Sequence, residues 1–159
     1  AMRTPSTPQY KAFQWLNGNA NLKSYSDEQK VQPYVLAALY YSTGGDDWKS
    51  HDLWLDHGDE CGRWWQEIGG KLECTADGAV RSLKFHLNNL VGSMPPELSW
   101  LSNSLTLLGV GSNNPTGPVF NELGLLTNLD GLFLHDNMLT RTIPSFLHRM
   151  SKLGTLDGW

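Results

Sequence analysis

Acidic and sulfur-bearing side chains gather in one short stretch of this chain. Asp46-Asp47 is followed by Asp56-His57-Gly58-Asp59-Glu60, and Cys61 and Cys74 stand beyond with twelve residues between them. Asp56, Asp59 and Glu60 are the hard oxygen donors calcium takes, but their spacing does not follow an EF-hand loop, so a solvated loop is expected. The two cysteines are read first as a disulfide, with free thiols or a zinc site shared with His57 and a carboxylate as the other readings. Catalytic signatures are missing: there is no G-x-S-x-G, no phosphate-cradling glycine loop before a lysine and no H-E-x-x-H. No enzyme, cofactor or resident metal is therefore expected. His86, His135 and Asp136 are the remaining groups of interest, and whether they meet depends on the elements that carry them.

Those elements repeat. Leu83-x-Phe85-x-x-Asn88-x-Leu90-x-Gly92-x-Met94-Pro95-x-x-Leu98 aligns without a gap on Leu108-x-Val110-x-x-Asn113-x-Pro115-x-Gly117-x-Val119-Phe120-x-x-Leu123, 25 residues later. A third copy, Leu132-x-Leu134-x-x-Asn137-x-Leu139-x-Arg141-x-Ile143-Pro144-x-x-Leu147, follows after 24, and a fourth begins at Leu153-x-x-Leu156. Alternation at each start marks a short strand with one face inward. The three in-phase asparagines should form a ladder that satisfies backbone groups where the chain leaves each strand. Residues between and after the inward pairs then line the opposite, concave face. They form three columns: Lys84, Gly109 and Phe133; His86, Gly111 and His135; Leu87, Ser112 and Asp136. The middle rung offers little side chain, so a shallow trough over Gly109 and Gly111 is the expected binding site, with Lys84, His86, Phe133, His135 and Asp136 around it. The two histidines sit two rungs apart, about 10 Å at roughly 4.8 Å per rung, whereas a shared zinc ion needs each nitrogen within about 2.1 Å. Two solvated histidines are expected.

The G-x-I-P-x-x-L phase at Gly92, Gly117 and Arg141 resembles plant-type leucine-rich repeats. Pro115, Phe120 and Arg141 depart from that pattern, so the middle rung's outer side is expected to be irregular, its second strand above all. Upstream, Ala38 to Trp48, then Trp54, Cys61, Trp64-Trp65 and Cys74, look like the N-terminal cap of plant-type and algal members. In that family a helix and a Trp-rich loop close the solenoid's open end, pinned by a cysteine pair, which implies a Cys61 to Cys74 disulfide. The Phe13-Gln14-Trp15-Leu16 run is similar to secreted repeat proteins of microalgae, diatoms in particular. The resemblance implies an α/β fold: a short leucine-rich repeat solenoid of about three complete repeats behind a helical, Trp-rich cap. Its expected divisions are a flexible tail over 1–8, the cap over 9–79 and the repeats over 80–159.

Within the cap, Ser26 to Gln29 is a capping box. Val31, Val35, Ala38 and Leu39 continue at helical spacing, Pro33 should kink or restart that helix, and Gly44-Gly45 should end it. An earlier helix is expected from Gln9 to about Leu16. Trp48, Trp54, Trp64 and Trp65 could stack on sugars, but closing the first rung's apolar edge is the preferred reading.

Twelve Lys and Arg against sixteen Asp and Glu give a net charge of -4 with no basic run of even three residues, which argues against nucleic acid and anionic membranes. The longest apolar stretch, Tyr34 to Tyr41, falls far short of the ~20 residues of a bilayer span. Ala1 to Tyr10 does not read as a signal peptide. The fourth rung has Gly158 at its second inward position and then reaches Trp159. The readings of that end are a fragment of a longer solenoid, Trp159 folding back as a lid, or another subunit covering it. The expected protein is a non-catalytic, extracellular or cell-surface module that binds a protein, peptide or glycan on its concave face. The alternatives are an assembly subunit that oligomerises or docks through its flanks and uncapped end, and residence in the lumen of an oxidising organelle.

Overall fold

The computed structural model describes residues 5–51, 54–56, 60–63, 71–140 and 144–158. The readings made for His57, Asp59, Trp64, Trp65, Arg141, Ile143 and Trp159 lie outside the described residues. Helix α1, Pro8–Gly18, begins where the Thr7 side chain accepts from the Tyr10 amide. Pro8 suits the first helical turn because its missing N–H would have had no partner there. Helix α2, Asp27–Ser42, opens on the capping box: Gln29 N donates to Ser26 Oγ at 3.3 Å and Ser26 N to Gln29 Oε1 at 2.8 Å. It runs unbroken through Pro33, contrary to the restart expected there. Val35 to Leu39 are all wholly buried, and the helix packs on α1 and on the 3-10 turn Pro96–Leu101, so burial offsets the lost hydrogen bond. Gly44, at φ 66°, turns the chain away after Thr43.

The apolar end of the first rung is closed by rings. Trp48 and Trp54 meet Phe85 edge to face, with centroids 5.2 and 5.7 Å away, and lie 5.1 Å from each other. Both indoles are buried, so these two tryptophans serve as the cap and are not a sugar platform. Each contributes roughly 4 to 6 kcal/mol of apolar burial as an upper estimate.

Rungs stack as one sheet on the inner side. Strand β1, Lys71–Cys74, runs antiparallel to β2, Val80–Lys84. Strands β4, Leu107–Gly109, β6, Gly131–Phe133, and β8, Thr155–Asp157, then follow in parallel. The fourth rung therefore has its inner strand. Outside lies a second sheet of β3, Val91–Gly92, β5, Asn114–Gly117, and β7, Met138–Leu139. The middle rung was expected to be irregular here, yet β5 is the longest of the three and sits between the others. Pro115 does not disturb it: Asn114 N donates to Leu90 O on one side, and pairing with β7 begins at Thr116, after the proline. Phe120 likewise takes the extended backbone of Pro95 and Pro144 at the entry to its 3-10 turn.

The asparagine ladder forms. Asn113 Oδ1 accepts from the amides of Asn88 and Leu90 at 2.9 and 3.0 Å, and Asn137 Oδ1 accepts from Asn113 N at 3.1 Å. Asn88 Oδ1 accepts from Ser50 N at 2.7 Å, extending the ladder into the cap. Gly92 joins the same two parts: at φ 112° a Cβ would stand 2.3 Å from Ser42 O at the end of α2, so only glycine fits.

Cys61 and Cys74 are bonded, with Cα atoms 5.7 Å apart. The free-thiol and zinc readings fall, and the bond ties the short helix α3, Glu60–Arg63, to β1. Glu60 is not solvated as expected but buried, accepting from Gln32 Nε2 at 2.8 Å. Gln32 also donates to Gly78 O and accepts from Val80 N at 2.6 Å, so one amide joins α2, α3 and the first rung. Asp46 is likewise engaged, accepting from Tyr40 Oη at 2.7 Å.

Candidate functional site: the concave strand face

Parallel pairing fixes the concave columns. Lys84 lies beside Gly109, Gly109 beside Phe133, and Phe133 beside Asp157. The first expected column is thus assembled and gains a fourth member. Asp157 was within reach of the sequence, since it stands 24 residues after Phe133 as Phe133 does after Gly109. A further column was missed altogether: Ser82, Leu107, Gly131 and Thr155, the residues that precede each first inward leucine, share the register. Glu73 was missed as well, because nothing in the repeat pattern announces an antiparallel strand ahead of it.

Charge is polarised along the stack. On the cap side, Glu73 faces both Arg81, at 3.6 Å, and Lys84, at 3.4 Å. Among the described residues, two cations sharing one carboxylate leave that end positive. Asp136 and Asp157 make the other end acidic. Phe133 sits between, half-buried, its ring edge 3.1 Å from where a Gly131 Cβ would be. Gly109 is itself buried, and a Cβ there would stand in ordinary van der Waals contact, 3.8 Å from Phe133 Cβ and 3.9 Å from Leu107 Cδ2 and Leu83 O.

The trough expected at Gly111 is not empty. The imidazole of His135 lies on it, so close that a Cβ on Gly111 would stand 2.5 Å from His135 Cε1. His86 and His135 are therefore not two separately solvated side chains: their ring centroids are 5.6 Å apart and tilted by 48°. His135 Nδ1 comes within 2.9 Å of an Asp157 carboxylate oxygen. The nitrogen makes no hydrogen bond in that geometry, so the contact is electrostatic, attractive when the ring is protonated. Among the described residues no group of three or more His, Cys, Asp or Glu is placed to hold a metal ion.

The third column does not continue the strands. Leu87, Ser112 and Asp136 all take left-handed backbone, at φ 55°, 54° and 52°, and swing the chain out toward the asparagine ladder. Asp136 is exposed and accepts from Ser112 Oγ at 3.3 Å. It borders the face and does not line it. No signal short of three-dimensional register marks this turn, because none of the three residues is a glycine.

No protein-family model matches the chain. In sequence it is similar to the leucine-rich repeat receptor-like serine/threonine-protein kinase RGI4 of Arabidopsis thaliana. The two are 36% identical over 73 residues, which cover 46% of this chain and 7% of that kinase. In architecture it is similar to the crystal structure of PEPR1-AtPEP1, with a TM-score of 0.52 and 24% identity over 75% of this chain and 20% of the other. It is also similar to the BIR3 - SERK2 complex from Arabidopsis thaliana, with a TM-score of 0.55 and 18% identity over 94% of this chain and 66% of the other. The rung register, the asparagine ladder and these likenesses agree: the chain has the leucine-rich repeat fold, as a short solenoid behind a helical cap, and is similar in sequence to a plant receptor-like kinase of that repeat class.

Proposed function

We propose that the chain is a non-catalytic interaction module that holds a protein or peptide ligand on its concave strand face. The observation that carries this reading is the register of Lys84, Gly109, Phe133 and Asp157 on parallel strands, which sets a cation, a half-buried ring and a carboxylate in one row across the rungs. A ligand lying across the rungs would meet positive charge at Arg81 and Lys84, the Phe133 ring, the His86 and His135 pair, and then Asp157, with Asp136 at the border. Gly111 contributes by making room for the His135 ring. Two of the similar structures are PEPR1-AtPEP1 and the BIR3 - SERK2 complex, and a fold found in such pairs supports a polypeptide ligand. The disulfide supports a location outside the cell or in another oxidising compartment, and the Phe13 to Leu16 run is the ground for a microalgal subtype.

A second reading rests on a different observation. Strand β8 is exposed along its whole length and Leu156, an inward position in the earlier rungs, is 44% exposed. An assembly subunit would dock a partner strand on the exposed β8. Selection of peptides from a random displayed library separates the two. The concave reading expects enrichment that Lys84→Ala with Phe133→Ala abolishes and Leu156→Lys leaves intact. The reverse pattern overturns it.

A further inference from the structure

Away from the concave face, α1, α2 and the 3-10 turn Pro96–Leu101 enclose an open groove of about 310 Å3. Its aromatic members are Phe13, Tyr34 and Trp100. Trp100 is 49% exposed and Phe13 40%, while the buried Tyr34 ring backs the indole at 5.7 Å, nearly parallel at 20°. A backed indole is a rigid flat platform with one face free. The repeat does not require a tryptophan here: the same phase carries Leu125 and Arg149 in the next two rungs, and both are exposed.

Polar groups stand at the rim. The Asn17 side chain lines the groove and is exposed. Asp27 and Lys30 pair at 3.3 Å, with the Asp27 side chain almost wholly exposed. The Tyr34 hydroxyl is buried without a partner among the described residues. Burial and the nearby Glu97 raise its pKa, so it stays a donor. The site thus combines a flat apolar face with donors and acceptors at its edge, and among its described lining residues the charges of Asp27 and Lys30 cancel. A pyranose ring has that complement: an apolar face of axial C–H groups and an equatorial girdle of hydroxyls. A bilayer would ask for a broader apolar surface or a basic rim, and an acidic glycan for uncompensated cations. The volume falls at the small end of ligand sites, which suits one or two ring units.

We propose that the groove between α1, α2 and Trp100 binds a neutral pyranoside unit of a polysaccharide, stacked on the Trp100 indole and held at its edge by Asn17, Asp27 and Lys30. This site is independent of the concave face. Native gel electrophoresis through gels cast with laminarin, hydroxyethyl cellulose, xylan, mannan or alginate tests it on the full chain. The expected result is retardation by at least one of the four neutral polymers. Trp100→Ala and Phe13→Ala should each weaken it about tenfold or more, Trp100→Phe should retain most of it, and Lys84→Ala with Phe133→Ala should leave it unchanged. Should Trp100→Ala fail to fold, as judged by its thermal transition, Phe13→Ala and Asn17→Ala give the same answer from the other wall. Mobility unchanged in all four neutral gels, retardation by alginate alone, or equal retardation of the folded variants overturns the proposal. So does Trp100-dependent binding to zwitterionic lipid vesicles with no retardation in the neutral gels.

Discussion

Asn113→Ala should be the most costly single change in the asparagine ladder. Its Oδ1 accepts two buried amides, Asn88 N and Leu90 N, at 2.9 and 3.0 Å, and its Nδ2 donates to the carbonyls of Phe85, Val110 and Gly111. Gly111 O keeps a second donor in Leu87 N, and carbonyls tolerate losing one of two partners better than an amide tolerates losing its only acceptor. The two stranded amides dominate, each at about 1 to 3 kcal/mol. A loss near 3 kcal/mol is therefore expected, which for a chain of this size lowers the melting midpoint by roughly 6 to 12 °C. Among the described residues Asn137 accepts one amide, Asn113 N, so Asn137→Ala should cost about half as much. Asn88 accepts a single amide, that of the half-buried Ser50, and Asn88→Ala should cost about 1 kcal/mol. Urea unfolding followed by circular dichroism measures all three, with the slope m held constant as the sign that only stability changed. Equal losses for Asn113→Ala and Asn137→Ala would refute the assignment of the cost to the stranded amides.

Other expectations follow from single contacts. Reducing the Cys61 to Cys74 bond should add two hydrogens by mass spectrometry and, because it opens a loop of about 15 residues, lower stability by about 3 kcal/mol; an unchanged midpoint in reductant would contradict this. Gly111→Ala should keep the fold within about 1 kcal/mol, since only the far end of a side chain must move, while pushing the His135 ring off its seat. Loss of the cross-peaks between the His86 and His135 rings in an NMR spectrum is the readout. Burial raises the phenol pKa of Tyr34, Tyr40 and Tyr41, with Asp46 adding to it at Tyr40 through its hydrogen bond. The folded state then holds protons that the unfolded chain releases near pH 10. The stabilisation is complete below that pH and is lost as pH rises through the folded values. Tyr40→Phe should lessen the fall in unfolding midpoint between pH 9 and pH 11, and an identical fall in both proteins would exclude Tyr40 as a contributor.

Repetition explains why so much of the solenoid was legible in the sequence. A spacing of 24 or 25 residues repeated three times leaves one register for Leu83, Leu108 and Leu132, and it places Lys84, Gly109 and Phe133 side by side because each follows its leucine by one residue. The capping box at Ser26 and the glycines after Ser42 are local signals of the same sort, since their hydrogen bonds span only a few residues. What lay beyond the sequence involves contacts between segments with no shared period. The fit of Gly111 beneath the His135 ring, and of His135 against Asp157, depends on which way a side chain leans across a neighbouring strand. The continuity of α2 through Pro33 depends on what α1 and the Pro96–Leu101 turn bury against it, and the left-handed turn at Leu87, Ser112 and Asp136 on the pull of the asparagine ladder. The pairing of Phe13 with Trp100 around Tyr34 brings together residues up to 87 positions apart. The sequence determined the repeat and the face it presents, because those are periodic along one chain; only tertiary structure decided what stands on that face and behind it, because that depends on packing between segments whose separation the repeat does not encode.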